Sequence, residues 1–192
     1  MAKFKVINNK IRVNKDITKL DKFALEVIEI IKKYTDYVII SGYVSIFFGR
    51  SRATEDIDMF IKEMPYSKFL KMYKDFTEKG FEFTIDDSKK LYEDYLMKDE
   101  AINVWRKDFP LLRMEIKLAN SQVKKLIINN PIKVYFKNKE ILVCSIESQI
   151  AYKRYISKSE KDLEDARHLE IVFDLDKEKI KYFKDLFNKD EN

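Results

Sequence analysis

Glycine is nearly absent from this chain, with three in 192 residues, at Gly42, Gly49 and Gly80. Cysteine and histidine are rarer still, one each, Cys144 and His168. A lone cysteine excludes an intrachain disulfide framework, and with a lone histidine it excludes a His/Cys zinc site. No apolar run approaches the ~20 residues that a membrane-spanning helix needs. The opening Met1-Ala2-Lys3-Phe4-Lys5 lacks the apolar core of a secretory signal. Charge of one sign is also lacking: 38 Lys and Arg face 33 Asp and Glu, a formal net charge of +5. That excess permits an anionic ligand without forming the basic blocks of a nucleic-acid binder. What is present is apolar: hydrophobic residues make up 45% and aromatics 14%, enough for a real core and too many for disorder. The expectation is a soluble, cytoplasmic globular protein of one domain, or one domain with a helical appendage.

The periodicity predicts a mixed α/β body. Phe4 to Val13 alternates around Asn8-Asn9 and reads as a hairpin. From Ile17 to Tyr34 apolar residues recur at helical spacing, with Thr18 or Asp16 able to cap. Strands are expected at Tyr37 to Ile40, Ile57 to Ile61, Phe81 to Ile85, Leu111 to Leu118, Ile132 to Phe136 and Ile141 to Cys144. Gly42 to Phe48 reads as a short helix, and Pro65 opens another that ends near Gly80. The last stretch differs, with helices at Ile146 to Ser157, Ser159 to Phe173 and Asp176 to Phe187. The division is therefore an α/β domain over 1–145 and a helical region over 146–192 that packs on the cleft.

Two of the three glycines fall in Tyr37 to Ile61, YVIISGYVSIFFGRSRATEDIDMFI. A strand runs into Ser41-Gly42 and a helix follows at once, a turn type that presents unpaired amides to phosphate. Asp56-Ile57-Asp58 begins the next strand. Residues two apart on a strand share a face, so both carboxylates project together while Ile57 and Met59 face the core. Paired carboxylates repel unless a cation lies between them, and Mg²⁺ prefers carboxylate and phosphate oxygens. Alone, a D-x-D pair is common on solvated strands; joined to the turn, Gly49 and Arg52, its spacing is far more restrictive.

These residues resemble the nucleotidyltransferase superfamily of polymerase-β-like fold. The branch most similar includes the abortive-infection AbiEii/AbiGii-type toxins and related nucleotidyltransferase-like proteins. Gly42, Gly49, Arg52, Thr54, Asp56, Ile57 and Asp58 fall on that branch's pattern, a small-residue pair, a later Gly, then R-x-T-x-D-I-D. Downstream, SIESQIAYKRYISKSEKDLEDARHL is similar to the family's S-x-E-x-x-I-x-x-K stretch and K-D-x-x-D-A-x-x-L helix, so the likeness spans Tyr37 to Leu169. Ser41 stands where the family usually has Gly. The third carboxylate, normally Asp, is best matched by Glu115, with Asp108 the weaker alternative. Glu115 read without the family is a strand residue paired with Lys117 or Arg113.

Lys153 lies on the helical side of Ile146 and Ile150. By spacing it is a snorkelling side chain or a buried phosphate ligand; the resemblance implies that it faces the nucleotide. Asp162 fits a capping box opened by Ser159, and Asp165 lies at the edge of the stripe Leu163, Ala166, Leu169 and Phe173. The resemblance implies that Asp162 or Asp165 lines the site and pairs with Lys153. His168 has no evident partner, Cys144 reads as a small core residue, Trp105 as a packing residue and Lys177 to Lys184 as a solvated helix face.

The resemblance implies a mixed sheet flanked by helices, closed by a C-terminal helical region. Asp56, Asp58 and Glu115 would hold Mg²⁺ (or Mn²⁺) against a nucleoside triphosphate. The Ser41-Gly42 turn would bind its phosphates together with Thr54, and Arg52 or Lys153 would neutralise charge. A nucleoside monophosphate would pass to an acceptor hydroxyl or phosphate on tRNA, a protein or a small molecule, and a toxin role would bring a cognate antitoxin. Two other readings stay open: a degenerate member that binds nucleotide or a partner without catalysis, and a basic RNA-binding adaptor.

Overall fold

The computed structural model describes residues 3–7 and 10–190. In chain order the elements are β1 (Lys3–Ile7), β2 (Lys10–Asn14), α1 (Lys19–Ile31), β3 (Tyr37–Ile40), α2 (Ser41–Phe47), β4 (Asp56–Ile61) and α3 (Tyr66–Glu78). Then come β5 (Phe81–Phe83), α4 (Ser88–Lys90), β6 (Ile102–Arg106), β7 (Phe109–Leu118), α5 (Gln122–Asn129), β8 (Ile132–Phe136) and β9 (Lys139–Val143). The tail holds α6 (Ile146–Ala151), which runs on as a π-helical turn through Tyr152–Ser157, then α7 (Glu160–Val172) and α8 (Lys177–Asp190).

Among the described residues the strands form one mixed nine-stranded sheet in the order β1-β2-β8-β9-β3-β4-β7-β6-β5. The hairpin expected at the start is present as antiparallel β1 and β2, while its Asn8-Asn9 turn lies outside the described residues. β4 lies between antiparallel β3 and parallel β7, near the middle of the sheet. Its alternation divides the two faces. Ile57, Met59 and Ile61 are fully buried with Met114 and Ile116 of β7 on one side, while Asp56 and Asp58 point to the other.

The apolar face is covered by α1 and α3. α1 starts at Thr18, whose hydroxyl accepts from the Asp21 amide while the Asp21 carboxylate accepts from Thr18 N–H, a reciprocal capping box. Its Val27, Ile28 and Ile31 are buried at helical spacing. In α3, Phe76 is fully enclosed and meets Phe81 and Phe83 edge-on at 5.4 and 5.5 Å. Truncating such a ring to Ala costs about 3–5 kcal/mol, so Phe76→Ala would severely weaken this layer.

Three elements were not anticipated from the sequence. Ser88 to Lys98 is helical, opening on the Asp87 side chain, which accepts from the Lys89 and Lys90 amides. β6 is short, with Ile102 and Val104 alone pointing into the core. α5 buries only Val123, Ile127 and Ile128 behind its Ser121 cap, one turn of signal in a polar segment. On α7, Leu163 was expected inside and is exposed at 38%, whereas Asp165, expected at the stripe's edge, is fully buried. The polar partners waiting for that carboxylate explain the exchange, as the site shows.

Candidate active site

β4 and β7 run parallel with Asp58 opposite Glu115 and Asp56 opposite Arg113. Paired residues on neighbouring strands share a face, so Asp56, Asp58, Arg113, Glu115 and Lys117 form one polar surface. Asp58 and Glu115 are half-buried, at 22% and 28% side-chain exposure, while Asp56 is open at 55% and lies 3.9 Å from the Arg113 guanidinium. Burial, then the Glu115 charge, push the Asp58 carboxyl above the usual carboxylate range; Lys117 and the Ser41 hydroxyl oppose them.

Lys117 is the cation of this surface. Its Nζ pairs with Glu115 Oε1 and stands 4.0 Å from Asp58 Oδ1. Burial alone would lower its ammonium, yet Glu115 and Asp58 hold it above the usual lysine range. The open alternative for Glu115, a pairing with Lys117, is thus the one realised in the structure. As a donor set, three carboxylates on adjacent strand positions fit a hard divalent cation. As placed, no three acidic, His or Cys side chains among the described residues are grouped to hold a metal ion: Glu115 pairs with Lys117, and Asp56 stands beside Arg113. Asp108 is elsewhere: it is exposed in the β6–β7 turn, held by the Arg106 guanidinium at 2.8 and 3.1 Å.

A cavity of about 490 Å³ opens beside Asp58 and Lys117. Ile40, Phe60, Val123, Ile127, Ile156 and Phe187 make its apolar walls; Ser41, Ser121, Lys124, Gln149 and Tyr152 supply polar groups. α5, α6, its π-helical extension and α8 therefore cover the carboxylate face of the sheet. Lys124 is itself committed to Asp99, at 2.8 Å from both carboxylate oxygens.

The glycine-poor turn differs from the expectation. Ser41 adopts φ 61°, the left-handed region that costs an L-residue about 1–2 kcal/mol. Its N–H donates to Gln149 Oε1 at 3.0 Å and its carbonyl accepts from Gln149 Nε2 at 2.7 Å. The Ser41 amide expected to face phosphate is therefore taken by a side chain 108 positions away. Only its hydroxyl remains turned toward Asp58. Gly42 has another use. A Cβ built there would lie 2.1 Å from Arg52 Nη2, so the missing side chain admits the Arg52 guanidinium against the backbone. Thr54 donates to the Asp56 carbonyl at 3.0 Å, shaping the entry to β4.

Arg52 reaches from this turn into the tail. Its Nη2 lies 3.2 Å from Asp165 Oδ2, and Lys153 Nζ donates to the same oxygen at 2.9 Å. Lys153 also pairs with Asp162, and Arg50 Nε approaches Asp165 Oδ1 at 3.7 Å. Both aspartates therefore pair with Lys153. The neighbourhood accounts for the burial of Asp165 and Lys153, 0% and 1% exposed. The lysine does not snorkel, and neither it nor the aspartates line the cavity. Burial would raise the Asp162 carboxyl, but Lys153, Ser157 and Ser159 hold it down at about 2. Ser159 also caps α7, accepting from the Asp162 amide.

His168 does have a partner: its Nε2 lies 3.2 Å from the Phe48 carbonyl, which can only accept, so the ring donates. Cys144 is buried, its thiol pushed up to about 12 by burial, and it donates weakly to Gln149 Oε1. Lys117, Gln149 and Tyr152 were not singled out as site residues. The period-two step from Glu115 to Lys117 was the available signal for the first; nothing in the sequence marks Gln149 as the clamp on Ser41.

The solved structures similar to this chain include two nucleotidyltransferase-type proteins. The first is the lincosamide antibiotic adenylyltransferase LnuA bound to lincomycin: TM-score 0.52, 15% identity, covering 83% of this chain and 100% of that one. The second is an antigenic nucleotidyltransferase-like protein from Paracoccidioides brasiliensis: TM-score 0.53, 15% identity, covering 88% of this chain and 87% of that one. No family model matches the sequence, and no curated protein matches it. The architecture is accordingly nucleotidyltransferase-like, a mixed sheet flanked by helices. Among the described residues no helix is long and apolar enough to cross a membrane.

Proposed function

We propose that the chain is a metal-dependent nucleotidyltransferase that moves a nucleoside monophosphate from a nucleoside triphosphate to an acceptor hydroxyl or phosphate. The observation that carries this is Asp58 at the wall of the cavity, in register with Glu115 on the neighbouring strand of a nucleotidyltransferase-like sheet.

Asp56, Asp58 and Glu115 would hold Mg²⁺ or Mn²⁺, which when bound supplies charge stabilisation for the reacting phosphates. The other roles belong to the chain. The apolar walls and Tyr152 enclose base and ribose and exclude water, while the Ser41 hydroxyl and Lys124 stand at the polar end. Arg52, Lys153 and Asp165 position the loop that leads into Asp56 and Asp58, since their ion pairs join it to the tail. For the acceptor, LnuA is a lincosamide antibiotic adenylyltransferase, which supports a small molecule; tRNA or a protein, in a toxin paired with an antitoxin, fits the resemblance in the Arg52 to Asp58 motif.

The second reading, a protein that binds nucleotide without transfer, is favoured by the ammonium between Asp58 and Glu115. Asp58→Asn tests the enzyme reading. Wild type should gain more melting temperature from Mg²⁺ and a triphosphate together than from either alone. Asp58→Asn should lose that joint gain and any transfer of a labelled nucleotide. A joint gain without transfer to any acceptor supports the second reading; no joint gain with any of the four triphosphates counts against both.

A further inference from the structure

Lys117 is unlike the other lysines of the carboxylate face. It lies on β7 two positions after Glu115, in the strand register that also sets Glu115 beside Asp58. Its ammonium pairs with Glu115 and lies 4.0 Å from Asp58, and only a third of the side chain is exposed. It also lines the cavity together with Asp58 and Ser41. The oxygens it engages are the ones a divalent cation would need, and an ammonium held against them repels an arriving cation.

We propose that Lys117 is the resident counter-cation of the site and competes with divalent metal for Asp58 and Glu115. This rests on the metal-binding reading above. In the metal-free protein the ammonium offsets the repulsion between the carboxylates, so the cleft is folded and neutralised before any ligand arrives. Metal entry releases the ammonium on its flexible four-carbon stem. The cavity beside it is the space into which it swings, where a point charge suits an anionic substrate.

The experiment is a titration with Mn²⁺ alone, read by calorimetry and by the electron paramagnetic resonance signal of free Mn²⁺. Four proteins are compared: wild type, Lys117→Met, Lys117→Arg and Asp58→Asn/Lys117→Met. Methionine keeps the stem and removes the charge. Lys117→Met should bind Mn²⁺ about tenfold tighter than wild type or better, the scale on which groups touching metal ligands alter affinity. Lys117→Arg should bind no tighter than wild type, and the double variant should lose the gain. Equal or weaker binding by Lys117→Met overturns the proposal while leaving the metal reading intact. If neither wild type nor Lys117→Met binds Mn²⁺ at millimolar concentration, both fall. Should Lys117→Met fail to fold, acylation of wild type by an amine-reactive ester, read by peptide mass spectrometry, replaces it. Labelling of Lys117 should rise on saturation with Mn²⁺, and unchanged labelling overturns the proposal.

Discussion

Lys153 Nζ donates to Asp165 Oδ2 at 2.9 Å with both side chains enclosed, at 1% and 0% exposure. The pair joins the π-helical turn to α7, and Arg52 ties both to the loop before β4. A buried ion pair is costly to break one-sidedly, because the remaining charge has no solvent to return to. Asp165→Ala should therefore destabilise the protein by about 3–5 kcal/mol in urea unfolding, and Lys153→Met/Asp165→Leu should recover much of that loss. A cost under about 1 kcal/mol for Asp165→Ala would mean that the network is not the structural link it is taken to be.

Gly42 and Arg52 should behave as one unit. A methyl group at Gly42 must displace the guanidinium, whose end is 2.1 Å from the position of the new atom. Because that end is flexible, the fold survives, but the Arg52–Asp165 pair does not. Gly42→Ala should cost about 1–3 kcal/mol in an otherwise wild-type chain and much less when Arg52 is already Ala. Equal costs in the two backgrounds, from urea melts of the four proteins, would remove Arg52 as the reason for this glycine.

Ser41 and Gln149 offer opposite signs. Ser41→Gly relieves a left-handed backbone and should leave stability unchanged or raise it by about 1 kcal/mol. Gln149→Leu removes the partners of both the Ser41 N–H and its carbonyl, and should cost about 2–3 kcal/mol. Chemical denaturation of each variant checks both. A Gln149→Leu protein as stable as wild type would show the turn to be held by other contacts.

Acid stability should depend on Asp162. Its carboxyl titrates at about 2 in the folded protein, below the ordinary ~3.9 of an unfolded chain. A depressed carboxylate contributes stability above its unfolded pKa and loses it as pH falls through the folded value. Between about pH 4 and pH 2, wild type should lose about 2 kcal/mol that Asp162→Asn does not lose, as the slope of unfolding free energy against pH. Parallel slopes would show that Asp162 carries no such linkage.

What the sequence determined by itself is what local chemistry determines. The alternation of Asp56-Ile57-Asp58-Met59 sets which side chains face the core, since a strand has period two wherever it lies. The caps at Thr18 and Ser159 follow from hydroxyls that reach amides within one turn. The helices α1 and α3 are legible because apolar residues at helical spacing must be buried somewhere. The short motif around Gly42 and Asp58 marked the face that carries the candidate site.

Tertiary structure alone decided which groups meet. The Gln149 clamp on Ser41 and the Arg52–Asp165 pair span more than a hundred positions, and no local spacing encodes them. Asp162 and Asp165 are equivalent candidates in sequence; they part because Arg52 and Lys153 converge on Asp165 in a space closed to water, while Asp162 lies at its margin. The same holds for Lys117. Its place two residues after Glu115 puts it on the right face, but the parallel pairing of β7 with β4 brings its ammonium to Asp58. That partner is chosen by strand order, and strand order follows from which assembly of elements buries the whole core.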